Sequence, residues 1–333
     1  MKVVVTGGAG FIGANLLHFW AKAHPKDTLV TLDKLTYAGN RNSIRDLEKA
    51  GLVEFVKGDI CSFKVVERTI KDADIVIHLA AETHVDRSIA DAAPFLSTNV
   101  TGTWVLLESC RRFDIDRFYL VSTDEVMGSL PLNRPGLRFK LSTRYDPRSP
   151  YSASKAAADH LTRAYYHTYG LPVMISNCGN NYGPYQYPEK LIPLAITNLM
   201  RGKKVPLYGD GKNVRDWIHV EDHCRAIDTI AKKGKAGETY LVGAGSERSN
   251  IEVLRAILRL MGKGGEWMEH VADRPGHDRR YAIDPSYLRS KLGWVPRIPF
   301  EKGLEMTVQW YLDNRKWWEP LLGAQKGKVL PSH

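Results

Sequence analysis

The chain has 333 residues, of which 43% are apolar, enough for one large domain with a smaller partner and too many for global disorder. Its formal charge is +10, yet Lys and Arg are scattered among Asp and Glu with no basic tract interleaved with aromatics, which argues against nucleic-acid binding and leaves room for an anionic small ligand. No apolar run is long enough to span a bilayer, and the opening MKVVVTGG lacks the pattern of a secretory signal, so membrane association and export are not expected.

In chain order, the first half alternates short apolar runs with helical patterns. The runs are VVVT, LVTLD, VEFVKGD, DIVIHLA, FYLVST and VMISN. Between them lie FIGANLLHFWAKA, SIRDLEKA, SFKVVERTIK and FLSTNVTGTWVLLESCRRF. This rhythm predicts an α/β fold, a doubly wound parallel sheet of the Rossmann type with helices on both faces. Such sheets bind ligands beyond the carboxyl ends of their strands.

TGGAGFIG follows the first strand and opens the first helix, with Gly8, Gly10 and Gly13 in G-x-G-x-x-G spacing and Gly7 preceding them. Glycines here allow a tight turn, close backbone approach to a pyrophosphate and packing of helix on strand. Asp33 ends the second strand, twenty positions beyond Gly13. A carboxylate there accepts from ribose hydroxyls and repels the extra phosphate of NADP, so the expected cofactor is NAD. Asp59 ends the third strand, where it can receive an adenine amino group or be an ordinary strand-end Asp. The small residues of HLAA after the fourth strand let a cofactor lie against backbone, and His78 reads as a packed histidine.

The fifth strand runs into STDEV, placing Ser122, Thr123, Asp124 and Glu125 together. Successive strand side chains point to opposite faces, so both carboxyls serve one site only if the strand ends there. Ser122 with Glu125 also fits a helix capping box. The following PLNRPGLRFKLSTRYDPRSP reads as a loop. SPYSASKAAADHL then starts a long helix with Pro150 in its first turn, and Tyr151 and Lys155, four apart, share a face. A free phenol, with pKa near ~10, is a poor base. A neighbouring ammonium and a positive nicotinamide ring favour the phenolate, which can then take a proton from a substrate alcohol.

After about residue 179 the texture turns mixed, with the turn-rich NNYGPYQYPEK and GDGKN between helices near LIPLAITNLM, DHCRAIDTIAKK, IEVLRAILRLM and LEMTVQWYL. The expected organisation is a cofactor domain over 1–179 with later segments interleaved, a substrate-binding region over 180–322, and a mobile tail over 323–333. Trp310, Trp317 and Trp318 read as packing residues. Cys61, Cys110, Cys178 and Cys224 form no metal-ligand or redox spacing, so reduced thiols in a cytoplasmic protein and no catalytic metal are expected.

With TGGAGFIG and YSASK the chain resembles the extended short-chain dehydrogenase/reductase superfamily. LDKLTYAGN, HLAAETHVDRSI, STDEV, NNYGPYQYPEKLIPL, VRDWIHVEDH and VADRPGHDRRYAID make it similar to the dTDP-glucose 4,6-dehydratase family, from Met1 to about Leu322. The resemblance implies an NAD-retaining lyase that oxidises C4 of the hexose, eliminates water across C5 and C6, and returns the hydride to C6. The product feeds deoxysugar synthesis, rhamnose for example. By resemblance Glu125 is the base for C5, Asp124 the acid for the leaving oxygen, Thr123 a donor to the C4 oxygen, and Tyr151 the oxidation base tuned by Lys155. The same resemblance puts Phe11, Ile12, Lys34, Leu35, Thr36, Ile60, Leu79, Ala80, Ala81, Thr83, Thr98 and Asn181 beside the cofactor with the glycines, Asp33 and Asp59.

For the nucleotide sugar it implies Thr83, His84, Thr123, Asn180, Glu189, Lys190 and Leu191. Arg215, Asn250, Arg274 and His277 join them, with Pro206, Leu207 and Tyr208 bordering the base. Guanidinium groups suit the diphosphate because they offer paired donors. A homodimer through the helices near 95–112 and 150–169 is also implied. Three features depart from the family pattern: Met127 in place of Tyr after DEV, Leu241 in place of Asn, and a short basic 130–149 loop. They leave open a relative acting on another nucleotide sugar, a 4-epimerase, or a non-catalytic NAD-binding regulator. The acid pair argues against the epimerase, which has no use for it.

Overall fold

The protein is described here by a computed structural model covering residues 1–273 and 276–324. Seven parallel strands form the main sheet: β1 (Lys2–Thr6), β2 (Thr28–Asp33), β3 (Val53–Lys57), β4 (Ile75–His78), β5 (Arg117–Thr123), β6 (Val173–Cys178) and β10 (Thr239–Val242), in the order β10-β6-β5-β4-β1-β2-β3. The order reverses beside β1, between β2 and β4, which opens a crevice above the carboxyl ends of the strands.

The alternation along β1 decides which layer each residue joins. Val3 and Val5 pack on one face with Leu16, Leu17 and Trp20 of the helix Phe11–Ala23 and Ile227 and Ile230 of Val220–Lys233. Val4 packs on the other with Leu106 of Thr103–Arg112 and Ala158 and Tyr165 of Pro150–Tyr169. Apolar residues on both strand faces therefore require the two helical layers observed.

The remaining strands are β7 (Asn180–Tyr182), β8 (Val205–Tyr208), β9 (Val214–His219), β11 (Glu247–Ser249) and β12 (Met268–Val271). They form a three-stranded sheet, β11-β9-β7, and a two-stranded one, β12-β8. A separate core lies here, with Ile192, Ile196, Leu254, Leu304 and Trp318 among its buried members. Trp318 has no exposed surface, and Trp310 and Trp317 pack against Tyr185, as packing residues do. Because β10 comes from after β9 and returns to the main sheet beside β6, the two regions are interleaved in sequence. The last helix runs from Arg315 to Ala324, so Gly323 and Ala324 of the expected tail are helical, and the rest of that tail lies outside the described residues.

The 130–149 segment carries no strand or helix, as expected of a loop, but it is pinned in place. Phe139 is buried, its N–H donates to the Ala282 carbonyl (2.8 Å), and the Leu130 N–H donates to that of Arg280 (2.9 Å). The Arg280 guanidinium donates to the carbonyl oxygens of Arg134, Pro135 and Leu137 and to Glu247. The two point departures, Met127 and Leu241, meet in one apolar cluster with Phe139, Ala156, Tyr281 and Ile283. They therefore act together as wall packing between the loop and the site. No helix among the described residues is long and apolar enough to cross a membrane.

Candidate active site

The register aligns the carboxyl ends of β1, β2, β4, β5 and β6, and one cleft runs along that edge. Its first wall is the Gly7–Gly13 turn. Gly7 has φ +78°, and a Cβ there would stand 2.7 Å from the Ala80 nitrogen, so only glycine lets this turn touch the loop after β4. A Cβ on Gly13 would collide with the Gly7 carbonyl oxygen, which is why helix and strand can approach here. The helix Phe11–Ala23 begins with no side-chain cap and no acid in its first turn, so its polarised N–H groups are open to an anionic ligand. Asp33 is buried and accepts from the Ala9 N–H (3.0 Å) and the Leu35 N–H (2.8 Å), which fixes the carboxylate at the end of β2. Burial raises its pKa, and the two backbone donors oppose that. A turn built for close backbone approach, an uncapped helix start and an anchored acid fit the pyrophosphate and ribose of a dinucleotide.

Of the cofactor candidates, all but Leu35 line this cleft: Gly7, Gly10, Phe11, Ile12, Gly13, Asp33, Lys34, Thr36, Asp59, Ile60, Leu79, Ala80, Ala81, Thr83, Thr98, Tyr151, Lys155 and Asn181. Leu35 has φ +58° and contributes its N–H to Asp33, and it is not among the residues that line the cleft. Lys34 is committed to Asp59 at 2.6 Å. Thr98 reaches the cleft because the helical stretch 93–112 widens into a π-helical turn, Leu96–Gly102, which re-aims its side chains. His78 is the packed histidine expected, held between the hydroxyls of Thr6 (2.8 Å) and Thr103 (3.0 Å) and pushed down to about 3 by burial.

β5 ends at Thr123, and Asp124–Met127 form one 3-10 turn. That turn removes the alternation problem, and Thr123, Asp124 and Glu125 all line the cleft with Tyr151 and Lys155. The cap is Thr123, whose hydroxyl accepts from the Glu125 N–H at 3.2 Å, whereas Ser122 Oγ is buried without a partner, so the Ser122–Glu125 capping box does not form. Instead Ser149 caps the helix Pro150–Tyr169, with Pro150 at its first position. Asp124 is 1% exposed. Burial, then the neighbouring Glu125, raise its pKa well above the usual carboxyl range, which favours its protonated form.

Tyr151 is buried in the cleft wall. Burial, then Glu125, push its phenol well above the ordinary value, and the counteracting influence from the chain is a hydrogen bond with Thr123. Lys155 donates to the Val121 carbonyl (3.0 Å), and burial lowers its own pKa. Burial beside Glu125 does not activate the phenol. A cation beside it has to do so.

The substrate candidates divide into two groups. Thr83, Asn180, Glu189 and Lys190 line the same cleft, and Lys190 Nζ donates to the Thr83 carbonyl (3.4 Å). His84 sits just behind, its pKa lowered to about 4 by burial and by Lys190, so its imidazole is neutral. The second group forms a rim knitted by main-chain bonds: Gly209 N–H to the Val271 carbonyl, Ile251 N–H to that of Gly211, and Asn250 N–H to that of Asn213. Arg215 lies 4.2 Å over the Tyr281 ring and donates to the Asp278 carbonyl (3.0 Å), while His277 pairs with Asp273 at 2.6 Å.

Pro206 and Tyr208 are surface residues of β8, but Leu207 is 1% exposed in the second core. Leu191 packs against that core as well. The strand and helix periods turn both apolar side chains toward that core. Arg274 lies outside the described residues. Sequence reasoning did not single out Cys178, Gln186, Tyr187 or Ala38, which line the cleft, or Tyr281, whose phenol the charge of Glu125 helps to raise. Ala38, Gln186, Tyr187 and Tyr281 lie within the quoted blocks LDKLTYAGN, NNYGPYQYPEKLIPL and VADRPGHDRRYAID, which were the signal that could have found them, whereas only the fold brings in Cys178.

Comparison with known proteins agrees with this geometry. A family model described as GDP-mannose 4,6 dehydratase matches residues 4–307. The dTDP-glucose 4,6-dehydratase of Mycobacterium tuberculosis strain H37Rv is 50% identical over 329 residues, covering 98% of each chain. The crystal structure of DesIV, a dTDP-glucose 4,6-dehydratase from Streptomyces venezuelae with NAD and TYD bound, superposes with a TM-score of 0.93 at 47% identity, covering 96% of this chain and 100% of that one. The NAD complex of UDP-glucose 4-epimerase from Thermus thermophilus is more distant, with a TM-score of 0.86 at 30% identity over 94% of this chain and 100% of that one.

Proposed function

The chain belongs to the dTDP-glucose 4,6-dehydratase family, and from that premise we propose that it is an NAD-dependent hydro-lyase converting dTDP-glucose to dTDP-4-keto-6-deoxy-glucose, with its chemistry divided among five side chains of one cleft. NAD, when bound, supplies a hydride acceptor for C4 and a donor for C6. The Gly7–Gly13 turn and the first turn of the following helix hold its pyrophosphate, and Asp33 its adenosine ribose. Tyr151 takes the proton of the C4 hydroxyl, and Thr123 donates a hydrogen bond to the C4 oxygen. The C4 ketone then acidifies C5. Glu125 removes the C5 proton, and Asp124 gives its proton to the departing C6 oxygen. After the hydride arrives at C6, C5 is reprotonated on the Glu125 side.

The observation that carries this reading is the buried Asp124 carboxyl beside Glu125, at the strand end that also holds Thr123, in surroundings that favour its protonated form. An acid and a base of the same residue class do different work only when their environments separate their pKa values. Arg215 and His277 are assigned to the nucleotide diphosphate, with Tyr208 and Pro206 at the base. Incubation with dTDP-glucose, UDP-glucose and GDP-mannose tests the assignment. A 4-keto-6-deoxy product from dTDP-glucose is expected. C4-epimerised UDP-galactose, or cofactor binding with no turnover of any sugar nucleotide, refutes it.

We further place the enzyme in the cytoplasm, where thiols such as its four unpaired cysteines stay reduced. Leu96, Trp104 and Tyr169, each more than 40% exposed on the helical stretches 93–112 and 150–169, support a homodimer through that face. Light scattering is expected to give twice the chain mass, and a monomer refutes the dimer.

A further inference from the structure

Asp159, like Asp216 and Asp222, is a buried acid that the mechanism leaves unused. Asp159 lies on the helix Pro150–Tyr169, one turn beyond Lys155 and two beyond Tyr151, so the three share a face. It has no exposed surface. Its Oδ2 accepts from the Tyr145 hydroxyl (2.7 Å) and from Asn177 Nδ2 (2.9 Å), and its Oδ1 is buried without a hydrogen-bond partner. The same Asn177 amide donates to the Thr123 carbonyl at 3.1 Å. Behind it, Arg163 donates to the Tyr145 hydroxyl (2.8 Å) and to Thr239 (3.3 Å). One carboxylate thus joins the catalytic helix, the end of β5 and the 130–149 loop.

Lys155 supplies the reason. Its ammonium is buried, its hydrogen bond to the Val121 carbonyl brings no charge, and burial favours its neutral form. The titratable groups facing it are Tyr151 and Asp159 on its own helix, Cys178 on β6 and His78 on β4. His78 is kept neutral and Cys178 keeps its proton, burial pushing its thiol up to about 12. Across the cleft, burial and Glu125 favour the protonated form of Asp124. Asp159 is the carboxylate placed to balance the ammonium.

We propose that Asp159 is a positioning residue of the oxidation step: its buried carboxylate keeps Lys155 charged beside Tyr151 and, through Asn177, fixes the Thr123 main chain at the reacting end of β5. The proposal rests on the roles assigned above to Tyr151 and Lys155. Without the carboxylate, Lys155 loses its proton more readily, Tyr151 loses its cation, and the phenol ionises only at higher pH.

Stopped-flow C4 oxidation by the holoenzyme, followed as reduced cofactor across pH, tests this. Asp159→Asn is expected to raise the pH midpoint of oxidation by about 1 unit or more, the usual effect of removing a nearby opposite charge. Asp159→Glu is expected to bring the midpoint back. Asn177→Ser keeps the charge but cuts the link to Thr123, so the rate falls several-fold at every pH with the midpoint unmoved. An unmoved midpoint in Asp159→Asn overturns the proposal, as does an equal shift in Asn177→Ser. Should Asp159→Asn not fold, nitrogen-15 spectra of the wild type decide, with the Lys155 signal identified by its loss in Lys155→Met. A charged amine at pH 8 is expected, and a neutral one overturns the proposal. A wild type that never oxidises dTDP-glucose refutes the parent assignment instead.

Discussion

The cofactor half of the cleft and its substrate half are built in different ways. Around Gly7–Gly13 the site is mostly main chain: one glycine turn, one helix start and strand ends in register, with Asp33 anchored by two N–H groups. On the side proposed for the substrate, the candidate side chains come from β9, from 250 and from 277, and two of them are already engaged. Arg215 is bonded to the Asp278 carbonyl, and His277 to Asp273. A backbone cradle tolerates no added atom, whereas a rim of paired side chains can be retuned one residue at a time. That difference explains how one scaffold keeps one cofactor while its relatives act on different sugars.

The largest effects are expected at the seam, where the halves share side chains. Tyr151→Phe should slow C4 oxidation by about 10⁴-fold, the upper range for a positioned base, with no reduced cofactor seen on mixing with dTDP-glucose. Asp124→Asn should let oxidation proceed and slow water loss by about 10³-fold, read as reduced cofactor that persists. The pH profile of elimination carries the sign of the Asp124 shift. Burial and Glu125 raise its pKa, so the proton it must give is held to higher pH than an ordinary carboxyl holds it and is lost as pH rises through that raised value. The alkaline fall in elimination rate should vanish in Asp124→Asn, and an unchanged fall would assign it to another group.

Within the halves, effects should be smaller and should not cross over. Gly13→Val forces a side chain against the Gly7 carbonyl and should cost about 1–3 kcal/mol of overpacking, read as at least about tenfold weaker NAD binding with the KM of the remaining holoenzyme unchanged. Arg215→Lys loses the planar pair of donors and should raise KM for dTDP-glucose by about tenfold with NAD content unchanged. A loss of NAD in Arg215→Lys would show that the halves are not separable. Met127→Tyr should change kcat by only a few-fold, because Met127 is packing in the apolar cluster with Leu241 rather than part of the cleft lining.

The same contrast governs what the sequence revealed. The sheet, its helices and the glycine turn were legible because periodicity and spacing are local, and every main-sheet strand of the first half forms where an apolar run predicts it. STDEV was ambiguous on its own terms, since a capping box and an acid pair need the same letters. The 3-10 turn after Thr123 settles it, and no local pattern announces that turn. The inward packing of the Leu207 and Leu191 side chains was not legible, because a motif match records neighbours along the chain and not which face of an element turns inward. The surroundings of Tyr151 were hidden for a related reason: the i,i+4 spacing to Lys155 is visible in sequence, but the burial that raises the phenol is not.

The central claim is that oxidation and elimination act in turn on one hexose held in this cleft. Turnover of dTDP-glucose carrying deuterium at C4, mixed with an equal amount of a carbon-13-labelled, undeuterated substrate, tests it most directly. Deuterium is expected at C6 of the molecules that began with it, and absent from the carbon-13 product. Deuterium lost to solvent, or found in the carbon-13 product, would mean that the hydride leaves the cleft between the two steps and would contradict the account.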